Sequence, residues 1–300
     1  MFEKRTDLAL EVRELRGEES GIAVSEQNSG GIKITEAVVA EGDGEKNSGK
    51  PAGVYTTLDI GSAWRESREG FSNTANILAS RISLLLPQGE GTVLVAGLGN
   101  WEITPDSIGP RTVKGLLVTR HIKSIDSALF ESAGFKSLAA TATGVLSQTG
   151  VETAEQIKSI CDAVKPKCVV AVDALAARRL TRLCTTVQLS NGGIAPGSGV
   201  ANRRSAINSK LLGVPVIALG VPTVVDAATL ACDILEENSG AFGGDTEKKL
   251  EGMLGSAWRD SFVAPKEIDM LARRISSLLA TALNIAVHQM PAEQINDFIF

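Results

Sequence analysis

The fold of this chain is decided by residues 92–110, Thr92-Val-Leu-Val-Ala-Gly-Leu-Gly-Asn-Trp-Glu-Ile-Thr-Pro-Asp-Ser-Ile-Gly-Pro110. The first five residues, 92–96, form an apolar run that is typical of a strand buried on both faces. Gly97 and Gly99 end this strand, because glycine allows sharp turns and close approach of the backbone. The polar loop that follows brings Asp106 to the carboxyl end of a predicted central strand. In open α/β sheets, ligands bind and chemistry takes place at that edge.

The order of strand and then helix recurs along the chain. Strand 92–96 precedes a predicted helix over 107–122, and a second apolar strand, 168–172, precedes Asp173 and a predicted helix over 174–182. Apolar strands that alternate with helices predict an α/β fold with a mainly parallel sheet flanked by helices. No internal repeat or clean domain boundary interrupts the pattern. The other strands predicted in this part of the chain cover residues 137–141, 185–189 and 214–219.

The composition is that of an ordinary globular protein. The 300 residues are 43% hydrophobic and 22% charged, which is enough chain to bury a sizeable core. The formal net charge of -5 argues against a general nucleic-acid binder, which needs a basic surface. We recognise neither a secretory signal nor an apolar run of roughly 18 to 20 residues, so we expect a cytoplasmic protein without a membrane partner.

Residues that bind transition metals or act as nucleophiles are scarce. The only histidines are His121 and His288, so a histidine-based triad or metal site has little to draw on. The cysteines contain no Cys-x-x-Cys pair and lie mostly in apolar segments. We therefore expect neither a metal nor a cofactor. The four cysteines are Cys161, Cys168, Cys184 and Cys232.

Asp106 and Asp173 are the main candidates for chemistry. They are 173 − 106 = 67 residues apart, about two strand–helix units, so both can reach the same edge of a parallel sheet. Two close carboxylates do not both ionise freely, and one keeps a proton near neutral pH. Such a pair supplies a general acid and a general base together. The alternative is that each aspartate caps the helix that follows it.

Two glycine-containing segments are candidates for binding negative charge. Gly97-Leu-Gly99 resembles the start of a dinucleotide fingerprint, but Glu102 stands where the third glycine is needed. The loop around Gly197 and Gly199 could hold an anion or lie along a peptide, and it lacks the lysine of a phosphate-binding loop. We predict that backbone N–H groups of one of these two segments stabilise an oxyanion during hydrolysis.

Three ordered motifs match those of a known family. They are Gly97-Leu-Gly-Asn-Trp-x-x-Thr-Pro-Asp-x-x-Gly-Pro110, Ala171-Val-Asp-Ala-Leu-Ala-Ala-Arg178 and, near the N-terminus, Arg5-Thr-Asp-Leu-Ala9. The chain closely resembles the germination protease family, the spore endopeptidases of spore-forming bacteria. The resemblance extends through nearly the whole chain.

This resemblance implies a cytosolic endopeptidase of the forespore or spore core. It implies that the enzyme is made as a zymogen, assembles as a homotetramer, and begins the degradation of small acid-soluble spore proteins at germination. The family's proposed catalytic aspartates match Asp106 and Asp173, and its fold is similar to that of hydrogenase maturation peptidases. The processing site resembles the bond between Asp7 and Leu8, which implies a propeptide of residues 1–7 and a single α/β peptidase domain over 8–300.

We expect direct attack by water on the peptide bond, with Asp106 and Asp173 sharing one proton and no covalent intermediate. The residues leave open which aspartate is the acid and which is the base. One alternative is a metal-dependent processing peptidase of the hydrogenase-maturation kind. Another is a nucleotide-binding α/β protein without enzymatic activity.

Overall fold

The computed structural model describes residues 4–197, 205–237 and 261–299. Within these ranges nine strands form a single sheet. The strands are β1 (Ile22–Ser29), β2 (Ile32–Val39), β3 (Gly53–Asp59), β4 (Val93–Leu98), β5 (Leu138–Gly144), β6 (Cys168–Ala177), β7 (Thr186–Ser190), β8 (Val216–Asp226) and β9 (Phe262–Val263).

The sheet has a parallel half and an antiparallel half. β4 is parallel to its neighbours β5 and β6, and β6 is parallel to β8. The order is β1-β2-β3-β7-β8-β6-β4-β5, with β9 beside β8. The predicted α/β fold is confirmed, and the sheet is mixed. The antiparallel half begins with the β1–β2 hairpin, in which Gly30 and Gly31 both have positive φ, as tight hairpin turns require.

Helices cover both faces of the parallel half. The α-helices are α1 (Ala9–Arg16), α2 (Asp43–Ser48), α3 (Ala63–Glu66), α4 (Arg68–Leu85), α5 (Ile108–Lys114), α6 (Arg120–Ile125), α7 (Ser127–Ser132), α8 (Leu146–Thr149), α9 (Thr153–Val164), α10 (Ser209–Leu212), α11 (Ala227–Glu237), α12 (Ile268–His288) and α13 (Ala292–Ile299). Short 3-10 turns occupy Gly17–Ser20, Thr104–Asp106 and Leu180–Arg182.

The main core lies between one face of the sheet and the helices α4, α5 and α12. A smaller core on the opposite face packs β4 and β6 against α9 and α10. By length and composition alone, α12 would be long and apolar enough to cross a membrane. However, 67% of its most apolar window is buried inside the protein, so α12 serves as a core helix.

The predicted helix over 107–122 is wrong in extent, because it divides into α5 and α6. The chain leaves the helix at Gly115, whose carbonyl accepts a hydrogen bond from Asn284 Nδ2 at 3.0 Å. Asn284 Oδ1 in turn accepts the N–H of Leu117 at 2.9 Å. A single side chain of α12 therefore satisfies the backbone groups that the interruption releases.

The helix predicted over 174–182 is also wrong, since β6 continues without a break to Ala177. Its last four residues pair with β8 and are buried or half-buried. Alanine has the highest helix propensity of the amino acids, but propensity is a weak determinant of structure, and pairing with a buried neighbouring strand overrides it. Asp173 consequently lies inside a strand and does not precede a helix.

Candidate active site

Asp173 lies in the middle of the central strand β6, with only 5% of its surface exposed. It stands in register with Gly220 of β8, and its Oδ1 accepts the backbone N–H of Ala174 at 2.9 Å. The following helix that would let Asp173 act as a cap does not exist. A charged group in this buried position is costly unless it is paired and hydrogen-bonded.

Asp106 ends the 3-10 turn that follows β4. Its Oδ2 accepts the backbone N–H of Asn100 at 2.7 Å, which closes the loop between the strand and the turn. Gly99 allows this closure, because it has a φ of 104° and a Cβ there would lie 2.1 Å from the Asp106 carbonyl oxygen. The cap residue of α5 is Ser107. The loop thus brings Asp106 back over the end of β4, beside β6.

The two aspartates interact electrostatically. Burial raises the pKa of Asp173 well above its ordinary value, and the negative charges of Asp106 and then Asp7 raise it further. The hydrogen bond from Ala174 opposes the shift. The direction of the pKa shift is therefore the one expected of a carboxyl that retains a proton beside a second carboxylate.

The chain's own N-terminal segment lies in the same site. The backbone N–H of Asp7 donates to the Ala176 carbonyl at 2.8 Å, and the Ala176 N–H donates to Asp7 Oδ2 at 2.9 Å. Leu8 is fully buried and packs against Leu175 of β6. The bond between Asp7 and Leu8 is therefore held along the same strand that carries Asp173.

Two further side chains hold this segment from the other side. Gln188 of β7 donates from Nε2 to the Asp7 carbonyl at 3.3 Å and accepts the Ala9 N–H on Oε1 at 2.9 Å. Lys50 donates from Nζ to the Thr6 carbonyl at 3.1 Å, and its Nζ lies 4.0 Å from Asp7 Oδ1. Sequence reasoning missed both residues, because a lone strand glutamine and a loop lysine carry no motif.

The segment and Asp173 share one cavity of about 390 Å³. Its wall combines ionisable and polar side chains with several small residues, which leaves room for an extended peptide. The ionisable and amide side chains that line it are Asp7, Glu45, Lys50, Tyr55, Asp173 and Gln188.

The predicted oxyanion glycines occupy different positions. Gly97 lies inside β4, where a Cβ would meet the Gly109 carbonyl oxygen at 2.3 Å, so its smallness lets α5 pack directly on the strand. Gly99 packs against Asp106 as described above, and Gly197 lines the cavity. Gly199 lies outside the described residues.

The histidines and cysteines do not approach the two aspartates. His288 is buried in the core, where its Nε2 lies 3.0 Å from the Leu117 carbonyl and burial lowers its pKa. His121 is exposed on α6, and the four cysteines are buried and form no disulfide. Across ranges 4–197, 205–237 and 261–299, no group of three or more His, Cys, Asp or Glu side chains could hold a metal ion.

The family model and the relatives that match this chain are those of germination proteases. A family model described as Germination protease matches residues 3–252. The germination protease of Caldanaerobacter subterraneus subsp. tengcongensis is 43% identical over 94% of this chain and 94% of that protein. The Clostridium tetani protein is 40% identical, over 98% of this chain and 99% of its own length. The Bacillus pumilus protein is 32% identical, over 96% of this chain and 94% of its own length.

A solved structure also matches. It is a NiFe hydrogenase maturation protease from Thermococcus kodakarensis, with 16% identity and a TM-score of 0.36 over 68% of this chain and 98% of that chain.

An α/β protein whose matched family model and full-length relatives are proteases is a peptidase. The family can be stated more narrowly. The chain belongs to the germination protease family, as the matched family model and the full-length relatives establish. The resemblance read from the sequence motifs is thereby confirmed.

Proposed function

We infer that this protein is an endopeptidase that begins the degradation of small acid-soluble spore proteins during spore germination. The observation that carries the proposal is the buried Asp173, whose pKa is raised by burial and by Asp106, in one cavity with a bound peptide segment. Perturbed carboxyls in a cleft are typical of catalytic sites. Membership of the germination protease family supports the peptidase activity.

In the proposed mechanism, Asp106 and Asp173 activate water directly. Asp173 holds the shared proton, because its pKa is the one raised well above the ordinary value. Asp106 takes a proton from the attacking water, which gives a tetrahedral intermediate with an oxyanion. As this intermediate collapses, the C–N bond breaks, Asp173 donates its proton to the leaving nitrogen, and no covalent bond to the enzyme is formed.

The protein is proposed to be a zymogen that loses residues 1–7 by a cut between Asp7 and Leu8. Support comes from Asp7, which lines the cavity of Asp173 and bonds to the backbone of its strand, and from Leu8, which packs against Leu175 of that strand. The chain therefore holds its own proposed processing site beside Asp173. This arrangement supports processing within one molecule.

Assembly as a homotetramer in the cytoplasm of the spore core is proposed from the family resemblance. The sequence of the C-terminal tail, Ile-Asn-Asp-Phe-Ile-Phe over 295–300, is apolar enough to favour association as well. Part of that tail packs within the same chain, since Ile295 of α13 is only 2% exposed and Phe298 contacts Phe135 at a ring distance of 4.8 Å. Sedimentation at micromolar concentration tests the assembly, and a monomer there contradicts it.

The deciding experiment incubates the purified protein with a small acid-soluble spore protein. We expect cleavage by the wild type and a loss of about 10²- to 10⁴-fold in Asp106→Asn and Asp173→Asn. Asp162→Asn is the matched control, because Asp162 is exposed on α9 and pairs only with the nearby Lys158 in the described structure. Cleavage by both site variants at the wild-type rate would overturn the proposed roles.

Chelation distinguishes the metal-dependent alternative from the mechanism with two aspartates. A strong chelator is expected to leave cleavage unchanged, because the proposed mechanism uses only the two carboxyls. Loss of activity that one added metal ion restores would favour the metal-dependent peptidase. Nucleotide titration followed by calorimetry tests the non-enzymatic alternative in the same preparation.

A further inference from the structure

We propose that Gln188 is a catalytic residue whose side-chain amide stabilises the oxyanion formed at the carbonyl of the cleaved bond. The inference rests on the proposed peptidase function and on processing after Asp7. In this proposal Gln188, and not one of the two glycine segments, binds the oxyanion. The donor is a buried side chain of β7, on the strand next to β8.

Gln188 spans the bond between Asp7 and Leu8. Its Nε2 donates to the carbonyl oxygen of Asp7 at 3.3 Å, and its Oε1 accepts the N–H of Ala9 at 2.9 Å. The second contact determines which way the amide points, because a backbone N–H can only donate and must face the oxygen. The NH₂ group is consequently directed at the carbonyl that water would attack.

The sheet register places this amide opposite Asp173. Asp173 and Gln188 both pair with Gly220 on the intervening strand, so they lie in one row and point to the same face. Adjacent strands are about 4.8 Å apart, which separates the two backbones by about 10 Å. Asp7, which is bound to Ala176 of β6, receives the amide of Gln188 from β7 and lines the same cavity as Asp173.

The surroundings strengthen such a donor. Gln188 is only 7% exposed, and a preorganised hydrogen bond in a water-poor site stabilises developing charge more than it would in water. The amide is neutral, so it forms no ion pair with Asp173 or Asp7 and does not disturb the proposed sharing of a proton between Asp106 and Asp173. Lys50, the nearby cation, donates to the carbonyl of the preceding residue Thr6.

The main test substitutes the amide with groups of similar size. Gln188→Met keeps the length and volume of the side chain but removes the donor. We expect kcat on a small acid-soluble spore protein to fall about 10²- to 10³-fold with little change in KM, and self-removal of residues 1–7 to slow by a similar factor. Gln27→Met, at an exposed position of β1, is the matched control and should cleave normally.

In a second variant, the pH dependence of cleavage distinguishes a catalytic role of Gln188 from a purely structural one. In Gln188→Glu, the new carboxyl can donate a hydrogen bond only while it is protonated. Its rate relative to wild type should therefore rise as the pH is lowered. The ionisable groups around position 188 are those of the cavity, namely Asp7, Glu45, Lys50, Asp173 and Tyr55, whose pKa burial raises to about 12. These groups are the same in both proteins. The ratio of the two cleavage rates at each pH therefore reports the ionisation of the new carboxyl.

The outcomes separate the two proposals. If wild type cleaves, Asp173→Asn does not, and Gln188→Met keeps the wild-type kcat, the role of Gln188 is overturned and the peptidase proposal stands. A higher KM at unchanged kcat likewise overturns it, because the amide would then only hold substrate. If the wild type cleaves neither the spore protein nor itself, both proposals fail. Should Gln188→Met not fold, the pH dependence of Gln188→Glu decides, and a constant ratio to wild type refutes the role.

Discussion

Asp173 and Gln188 stand in the same row of the sheet, on either side of Gly220, which pairs with both. Glycine at this position makes room for the Leu175 side chain, whose Cδ1 would lie 2.4 Å from a Cβ at position 220. The N-terminal segment contacts both outer strands, since Asp7 binds Ala176 of β6 and Gln188 of β7. The geometry of the cleft therefore depends on the absence of one side chain as much as on the presence of two.

Gly220→Ala should narrow this cleft. A Cβ at position 220 would lie 2.4 Å from Leu175 Cδ1, so the Leu175 side chain has to move toward the bound peptide. We expect an unfolding free energy lower by about 1 to 3 kcal/mol. Cleavage should fall by up to about 10²-fold, because small displacements of substrate are costly. Denaturant unfolding and peptide cleavage are the measurements.

The matched control for that variant is Gly115→Ala, where the new Cβ would meet Ala280 Cβ at 2.8 Å on the opposite side of the sheet. It should lose stability but keep its activity per folded molecule. Equal losses of activity in the two variants would mean that the cleft at Gly220 has no special role.

The two aspartates should behave as one unit. Asp106→Asn and Asp173→Asn each remove one partner of a shared proton, so the double variant should be scarcely slower than either single variant. Rate constants for cleavage of one spore-protein substrate test this directly. Losses that multiply in the double variant would indicate that the residues act independently.

The pH dependence of the protein's stability should reflect the raised pKa of Asp173. Folded Asp173 keeps its proton to a higher pH than it does in the unfolded chain, where it ionises near the ordinary value of 3.8. The stability contributed by this group is therefore complete at low pH and is lost as pH rises from that value through the raised pKa. In Asp173→Asn this loss is absent.

We therefore expect the melting temperature of Asp173→Asn, relative to wild type, to increase as the pH rises from about 4 to 7. Calorimetry across this range is the measurement, and the exposed Asp162→Asn provides the comparison at each pH. A difference from wild type that stays constant with pH would contradict the raised pKa of Asp173.

Leu8 should anchor the N-terminal segment. Its side chain is fully buried among Leu175, Ala177, Leu183 and Val225, so Leu8→Ala should cost about 2 to 5 kcal/mol of unfolding free energy. The measurement is made in the Asp173→Asn background, where the proposed processing is blocked and the segment stays attached. Leu84→Ala is the control, because Leu84 is 75% exposed on α4. Equal, small costs at both positions would show that the segment is only loosely attached.

Local sequence patterns were sufficient for the buried parallel strands. The apolar run 92–96 predicted the strand that the structure has as Val93–Leu98, although the strand continues through Gly97 and ends before Gly99. Such strands are recognisable because a strand buried on both faces must be apolar throughout. The same reasoning selected Asp106 and Asp173, since each follows such a run and ligands bind at the carboxyl ends of parallel strands. The ordered motifs pointed correctly to the germination protease family.

Helix boundaries and the mixed sheet depended on distant partners. Residues 174–177 have a helical composition, yet they extend β6 because β8 lies beside them. The interruption at Gly115 needs Asn284, which lies on α12 and follows 169 residues later. A short stretch of sequence predicts neither the extension of β6 nor the interruption at Gly115, because both are stabilised by hydrogen bonds between segments far apart in the chain.

The sequence by itself determined the α/β class, the buried strands, the family and the identity of the two candidate aspartates. Only the tertiary structure placed Gln188 in one row with Asp173, brought Leu175 over Gly220 and bound Asp7 to both β6 and β7. The physical reason is register. Composition and periodicity predict that a strand forms and which way its side chains alternate, but the pairing of one strand with the next decides which side chains meet.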